Sequence, residues 1–338
     1  MTTSQQKHKR VTIADVAREA GLSPTTVSHS LNGIGQVDPE TRQHVKDVAA
    51  RLRYRPSVRA QRLRTGRSHA IALLSSMPAA VSAGASQLGF FTELAMGSAR
   101  TALLRGYVLL LAPPVDECNP LALLDMDGAI LLEPAPHDPI AQELEERSIP
   151  YVTIGGRPGP ENIDLQHERA AELLLMHLLE AGARAPGLVL GSSGRESQQA
   201  FRECYVNLAH RKKFAPVLAE APEGGGEQAG YEATRRLLER HPELDALCVP
   251  IDTFASGAAR AAADSGRTVG RDLLLTTRYD GLRAQTCQPP LTAVDLHLNA
   301  VSHAAVSTLL ELLSTGEVQL SGDLPAPTLI KRASTMRI

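Results

Sequence analysis

Apolar positions near the start of the chain recur at helical spacing. In residues 12–20, TIADVAREA, the side chains of Ile13, Val16, Ala17 and Ala20 fall on one face. Thr12 stands where a hydroxyl caps the first turn. Asp15, three positions on, holds the reciprocal place of a capping box, where a carboxylate also suits the helix dipole. Gly21 supplies a left-handed stop. After the turn Gly21-Leu22-Ser23, Ser23 can cap a second helix with Pro24 at its first position. Two short helices about a tight glycine turn make a helix-turn-helix. Asp38 and Pro39 open a third helix, whose inward stripe is Val45, Val48, Ala49 and Leu52.

The pattern changes at Pro56. The run RYRPSVRAQRLRTGRS carries Arg53, Arg55, Arg59, Arg62, Arg64 and Arg67, with Val58, Ala60 and Leu63 as its apolar side chains of size. A segment so short and so charged is at best marginally helical alone in water, and needs a polyanion and a partner chain to order it. Beyond residue 68 short apolar runs alternate with amphipathic helices, the signature of βαβ units around parallel sheets. The expected strands are 70–75, 107–112, 128–132, 150–154, 187–191, 246–251 and 272–277, with helices such as 91–105, 167–181 and 228–240 between them. Some 270 residues suffice for two doubly wound lobes.

Charge sharpens this division. The whole chain of 338 residues has a formal net charge of −2, which conceals a split. Residues 1–67 hold 13 Lys/Arg against 5 Asp/Glu, a net of +8, and residues 68–338 hold 22 against 32, a net of −10. A basic segment on an acidic body points to a nucleic-acid-binding head. The polar, basic N-terminus reads as no secretory signal, and no stretch approaches the roughly 20 apolar residues of a membrane helix, so a cytoplasmic protein is expected. Cys118, Cys204, Cys248 and Cys287 stand far apart without a C-x-x-C, the pattern of free thiols rather than of disulfides or a metal site.

The second helix has an unusual composition for its place. Thr25, Thr26, Val27, Ser28, His29 and Ser30 are mediocre helix formers, and Val27 and Leu31 alone look inward. Short hydroxyls and a histidine on the outward face suit hydrogen bonds to phosphates and base edges in a major groove.

VTIADVAREAGLSPTTVSHSLNG, VDPETRQHV and RYRPSVRAQRLRTGRS closely resemble the DNA-binding head of the lactose-repressor (LacI/GalR) family of bacterial transcription regulators. The resemblance implies that Pro24, Thr25 and His29 read bases, and that Thr12, Ser23, Thr26, Ser28 and Asn32 contact phosphates. It implies further that Ala60 and Leu63 lie on a hinge helix, about 56–64, whose paired leucines wedge into the minor groove at the dyad. Gln61 departs from the Arg of many relatives.

Residues 68–338 resemble the family's effector domain. The implied architecture is an N-terminal all-α helix-turn-helix DNA-binding head plus hinge helix (1–67), joined to an α/β bilobed type I periplasmic-binding-protein-like domain that binds effector and dimerises. Lobe 1 is expected over 68–157 and 289–318, and lobe 2 over 158–288 and 319–338, with crossings near 155–160, 286–291 and 318–324. A ligand is expected at the carboxyl ends of the parallel strands, between the lobes. Arg195, Gln198, Asp252 and Asp280 are the candidate effector contacts, with Ser197 beside them. Phe201 stands where relatives carry an Arg that clamps the ligand, and Ile251 where they carry Asn.

GLVLGSSGRES lacks both G-x-G-x-x-G and the Walker pattern, and reads as a pocket loop. Glu223-Gly224-Gly225-Gly226 reads as a flexible loop, and His167 and His177 as solvated or hydrogen-bonded side chains. No H-E-x-x-H, G-x-S-x-G or Cys/His cluster is present, so no catalytic residue, metal or cofactor is expected. The expected partners are a pseudo-palindromic double-stranded DNA operator, a small-molecule effector (a sugar or related metabolite) and a second copy of the chain, with no membrane. Two rival readings are a bilobed solute-binding protein, which requires a secretion signal and no basic head, and a sugar-processing enzyme, which requires an acid/base pair or phosphate loop.

Overall fold

The computed structural model describes residues 11–55, 66–82, 89–112, 120–318 and 324–337. It falls into two compact units, residues 1–68 and 69–338. The first contains helices α1 (Ile13–Ala20), α2 (Pro24–Asn32) and α3 (Pro39–Arg51). Their ends fall where the caps place them. Thr12 and Asp15 form the capping box, the Ser23 hydroxyl accepts from the Thr26 amide, and the Asp38 carboxylate accepts from the amides of Glu40 and Thr41. Gly21 takes φ 67°, which costs an L-residue conformational energy, so α1 ends there and the chain turns into α2. Val16, Ala17, Val27, Val45, Val48 and Ala49 make the small core, with Leu22, Leu31, Leu52 and Tyr54 packed around it. The expected hinge helix, with Ala60 and Leu63, lies outside the described residues.

The second unit carries two parallel sheets. The first is built from β1 (Ala70–Ser75), β2 (Val108–Leu111), β3 (Gly128–Leu132), β4 (Tyr151–Ile154) and β5 (Asn162–Ile163), in the order β2-β1-β3-β4-β5. The second is built from β6 (Pro186–Gly191), β7 (Leu218–Ala221), β8 (Ala246–Cys248), β9 (Leu274–Tyr279), β10 (Thr292–Asp295) and β11 (Thr328–Ile330). Its order is β11-β10-β9-β8-β6-β7, parallel throughout except for β11. Strands β1, β3, β6 and β9 are buried at every position, because helices cover both faces of a parallel sheet. The covering helices are α4 (Ala79–Ser82), α5 (Phe90–Leu104), α6 (Pro139–Glu146), α7 (His167–Glu180), α8 (Glu196–Lys212), α9 (Gly226–Arg240), α10 (Asp252–Asp264), α11 (Leu282–Thr286) and α12 (Leu298–Thr315).

The crossings between the sheets differ from expectation. Asn162–Ile163 still pairs with β4 in the first sheet, so the chain leaves that sheet after residue 163 rather than near 155–160. Residues 289–295, expected in the first lobe, include β10, which bonds β9 and β11 in the second sheet. The chain then returns through α12, which packs on α5 and on β3 and β4. Backbone pairing, which a short apolar run does not disclose, decides to which sheet such a strand belongs. The third crossing, near 318–324, falls largely outside the described residues.

Candidate nucleic-acid interface and interlobe cleft

On the head, Thr12 and Ser23 both cap helix N-termini and are exposed, as are Pro24 and Thr25. Free amides at a helix start suit phosphate oxygens. The polar residues of α2 turn part of their capacity back on the helix. Ser23 Oγ lies 2.9 Å from Thr26 Oγ1, Ser30 Oγ donates to the Thr26 carbonyl at 2.8 Å, and Asn32 Nδ2 donates to the Ser28 carbonyl at 2.7 Å. Such bonds satisfy these side chains locally without strengthening a helix of poor formers. His29 is half-buried, its ring against Gly35, where an added Cβ would come within 3.1 Å of Nδ1. Thr26, Ser28 and Asn32 are likewise half-buried. Hydrogen bonds from the Thr12 amide and hydroxyl hold the Asp15 carboxyl below the usual carboxylate range.

In the body, both sheets have the doubly wound order in which the strand sequence reverses, at β1/β3 in the first sheet and β6/β8 in the second. Ligands in such sheets bind beyond the carboxyl ends of the strands at these switch points. Met77 follows β1, Glu133 follows β3, Arg195 follows β6, Ile251 and Asp252 follow β8, and Arg278 and Tyr279 close β9. Together with Val81, Phe90, Phe91, Gln198, Glu223 and Pro250 they line one cavity of about 50 Å³.

That cavity is crowded by charge. Arg278 Nη1 donates to Glu133 Oε1 at 2.5 Å, and Ser197 Oγ donates to Glu133 Oε2 at 3.1 Å. Arg195 donates through Nη1 to the Glu133 carbonyl and to Ser76 Oγ at 3.3 Å, and through Nη2 to the Ser76 carbonyl at 3.2 Å. Its Nε faces Glu223 Oε2 at 3.4 Å, and Glu223 also accepts from Ser193 at 2.5 Å. Glu223 packs so closely on β6 that a Cβ at Gly191 would fall 2.4 Å from its Oε1, which explains the glycine. The Tyr279 hydroxyl donates to Glu93 of α5 at 2.5 Å, and the Arg278 guanidinium lies 5.3 Å from the Phe90 ring centroid.

Burial alone would raise the Glu133 carboxyl, but the Arg278 guanidinium, by charge and hydrogen bond, and the Ser197 hydroxyl overcome it and hold the group below its ordinary range. His167 is pushed the other way from a free imidazole. Burial lowers it, Arg278 adds to this, and the attraction of Glu133 does not compensate. The neutral ring fits its contacts: Nδ1 lies 3.2 Å from Arg278 Nη1 and Nε2 3.3 Å from the Gly155 carbonyl, an acceptor and a donor respectively. Burial raises the Asp252 carboxyl more than Arg283 and Arg278 lower it. Among the described residues Asp252 has no ion-pair partner; its Oδ1 accepts from the Thr253 amide at 2.7 Å, and the residue lines the cavity.

Of the four predicted effector contacts, Arg195, Gln198 and Asp252 meet at this cavity and Asp280 does not. Asp280 pairs with Arg332 at 2.6 Å, beyond β11. Gln198 spends its carbonyl on the Gly191 amide at 2.9 Å. Phe201 is buried in the core. Glu223, read from sequence as part of a flexible loop, is a buried residue of a short 3-10 turn. His177 is buried against Thr335 at 2.8 Å, so like His167 it is hydrogen-bonded rather than solvated. The sequence reading missed Glu133 and Arg278. Glu133 directly follows the apolar run of β3, and that placement was an available signal; Arg278 follows Thr276 and Thr277 inside β9 and carried no such mark. A larger open groove of about 810 Å³ flanks the first lobe beside α6. Its buried Asp138 and Asn162 have their oxygens taken by backbone amides and neighbouring hydroxyls.

A helix-turn-helix head joined to a two-lobed α/β body with a cleft at its switch points defines a class: a DNA-binding protein that carries a ligand receptor. Residues 12–57 match the family model of bacterial regulatory proteins, lacI family, and residues 175–335 match a periplasmic binding protein-like domain. The chain is 29% identical over 331 residues to the transcriptional regulator CelR of Thermobifida fusca, covering 92% of this chain and 94% of that one. It is 30% identical over 299 residues to the ribose operon repressor of Halalkalibacterium halodurans, covering 84% and 85%. Its fold matches the Lac repressor dimer bound to operator and the anti-inducer ONPF with TM-score 0.78, 25% identity and coverage of 97% and 100%. It matches a complex of CelR with cellobiose with TM-score 0.66, 25% identity and coverage of 96% and 100%. The chain belongs to the lacI family of bacterial regulatory proteins, and it is a DNA-binding transcription regulator. Among the described residues no helix is long and apolar enough to cross a membrane.

Proposed function

We propose that the protein is a dimeric, cytoplasmic repressor, without catalytic activity, whose hold on a pseudo-palindromic operator is set by a sugar or related polyhydroxylated metabolite bound between its lobes. The observation that carries this is the joining of the head to a cleft where Arg195, Gln198 and Asp252 meet at the switch points of both sheets. Arginine, amide and carboxyl groups beside the aromatic faces of Phe90 and Tyr279 suit a ligand that presents hydroxyls on an apolar ring. The solved complex of CelR with cellobiose, and the ribose operon repressor among the relatives, support a sugar.

In this reading α2 enters the major groove, Pro24, Thr25 and His29 read base edges, and Thr12, Ser23, Thr26, Ser28 and Asn32 hold phosphates. Ala60 and Leu63 wedge the minor groove from the hinge. Residues 1–67 are the head, and the body's lobes carry the change of state to it. A face of α5 and the edge strand β2 support the dimer: Met96, Leu103, Leu104, Val108 and Leu111 are 44–79% exposed there. Apolar side chains grouped on an edge strand and its covering helix suit a second copy. Thermal-shift screening of the full chain against sugars, sugar acids and purines tests the ligand class. A shift confined to sugars or sugar acids supports the proposal, and a shift with purines alone removes it.

A further inference from the structure

We infer that the cleft is latched shut by its own side chains, with Arg278 on Glu133 as the bolt and Arg195 as a strap, and that an effector enters by displacing them. The inference rests on the reading of this cavity as the effector site. Every bond of the latch joins one sheet's loops to the other's. Arg278 closes β9 and Arg195 follows β6, both in the second sheet. Glu133 follows β3 and Ser76 follows β1, both in the first. Tyr279 adds a third crossing, onto Glu93 of α5.

The space left is too small for a sugar. The cavity is about 50 Å³, whereas pockets that bury small molecules run to about 300–1,000 Å³. The guanidinium groups therefore stand where a bridging ligand would stand, and hold both lobes as such a ligand would. The bolt is well made. Glu133 is 2% exposed and receives Ser197 as well as Arg278, while neutral His167 accepts from Arg278 on its other side. Separating a buried ion pair without replacing its partners is strongly unfavourable. An effector must then accept from two guanidiniums and donate to the carboxylates they leave, which hydroxyl groups on one scaffold do and an apolar ligand does not.

The latch is tested by hydrogen exchange, followed by mass spectrometry, on the full chain without ligand or DNA. Peptides covering 74–79, 190–199 and 276–282 are compared between the wild type, Arg278→Met and Glu133→Gln. In the wild type these loops should exchange at least about 100-fold slower than unstructured peptide. Both variants should lose about tenfold or more of that protection, while peptides from β3 and β8 keep theirs. Wild-type loops exchanging within about tenfold of the unstructured rate would overturn the latch, as would equal protection in folded variants. If a variant unfolds globally by circular dichroism, the wild-type rates and the strap variant Arg195→Gln decide. With no ligand present, failure here leaves effector and operator binding untouched, and failure of those leaves the exchange result standing.

Discussion

Lowering the pH toward 5.5 should destabilise the body through His167, and the size of the effect follows from its contacts. The ring is buried and neutral between Arg278 and the Gly155 carbonyl, and protonation would place an imidazolium against a guanidinium. Its native pKa is therefore depressed below the ordinary 6.5, chiefly by burial. In the unfolded chain the same imidazole takes up a proton near that ordinary value, so below it the unfolded state binds more protons and stability falls with pH. Above it this contribution is fully present. Between about pH 7.5 and about pH 5.5, one such group removes about 1.4 kcal/mol while the native ring stays neutral. His167→Gln keeps an acceptor for Arg278 and a donor for Gly155 but cannot titrate. The chain has no tryptophan, so urea unfolding at the two pH values is best followed by far-UV circular dichroism. The wild type should lose more stability than the variant over this interval, by up to about 1.4 kcal/mol, at unchanged denaturant slope. An equal acid dependence in the two proteins would refute the neutral, buried histidine. Glu133 does not confuse the result. Its depressed carboxyl contributes stability that is present above the ordinary value of 4.5 and lost at lower pH, outside the interval.

Gly21→Ala should weaken the head, because φ 67° costs an L-residue about 1–2 kcal/mol and an added Cβ meets nothing within 4 Å that could compensate. Exchange of α1 and α2 amides should quicken roughly tenfold, and unchanged rates would remove the left-handed stop as a determinant. His29→Ala should relax base preference at one position per half-site, at about 1–3 kcal/mol. An operator selection that returns the wild-type consensus would take His29 out of base readout. Asp252→Asn should shrink the ligand-induced thermal shift and leave ligand-free operator affinity as it was, and a full-sized shift would exclude Asp252 from the effector contacts.

The head was legible almost residue by residue because its signals are local. Thr12, Ser23 and Asp38 each cap a helix within three residues, and Gly21 stops one. The main strands were legible because two-face burial writes them as unbroken apolar runs. Short or partly exposed strands left no such mark: β5, β7 and β11 are two to four residues long, and their place depends on a neighbour's backbone. The cleft was half legible. Arg195, Gln198 and Asp252 lie at the starts of α8 and α10, just after strands, where polar residues stand out in the sequence. Arg278 and Glu133 are 145 residues apart, and nothing local says that one guanidinium will meet that carboxylate. Asp280 likewise follows the expected strand, but it faces Arg332, a partner that only the tertiary structure supplies.

The central claim is that one chain couples operator binding to a ligand in its cleft. The most direct measurement is fluorescence anisotropy of the full chain on a DNA site recovered by selection from a random pool, with and without the sugar that gives the largest thermal shift. The account predicts a twofold-symmetric selected site, and an operator affinity that the sugar changes by about fivefold to 150-fold, a coupling of about 1–3 kcal/mol. Asp252→Asn should reduce that change. A site without twofold symmetry, or an affinity that the bound sugar leaves unmoved, would contradict it.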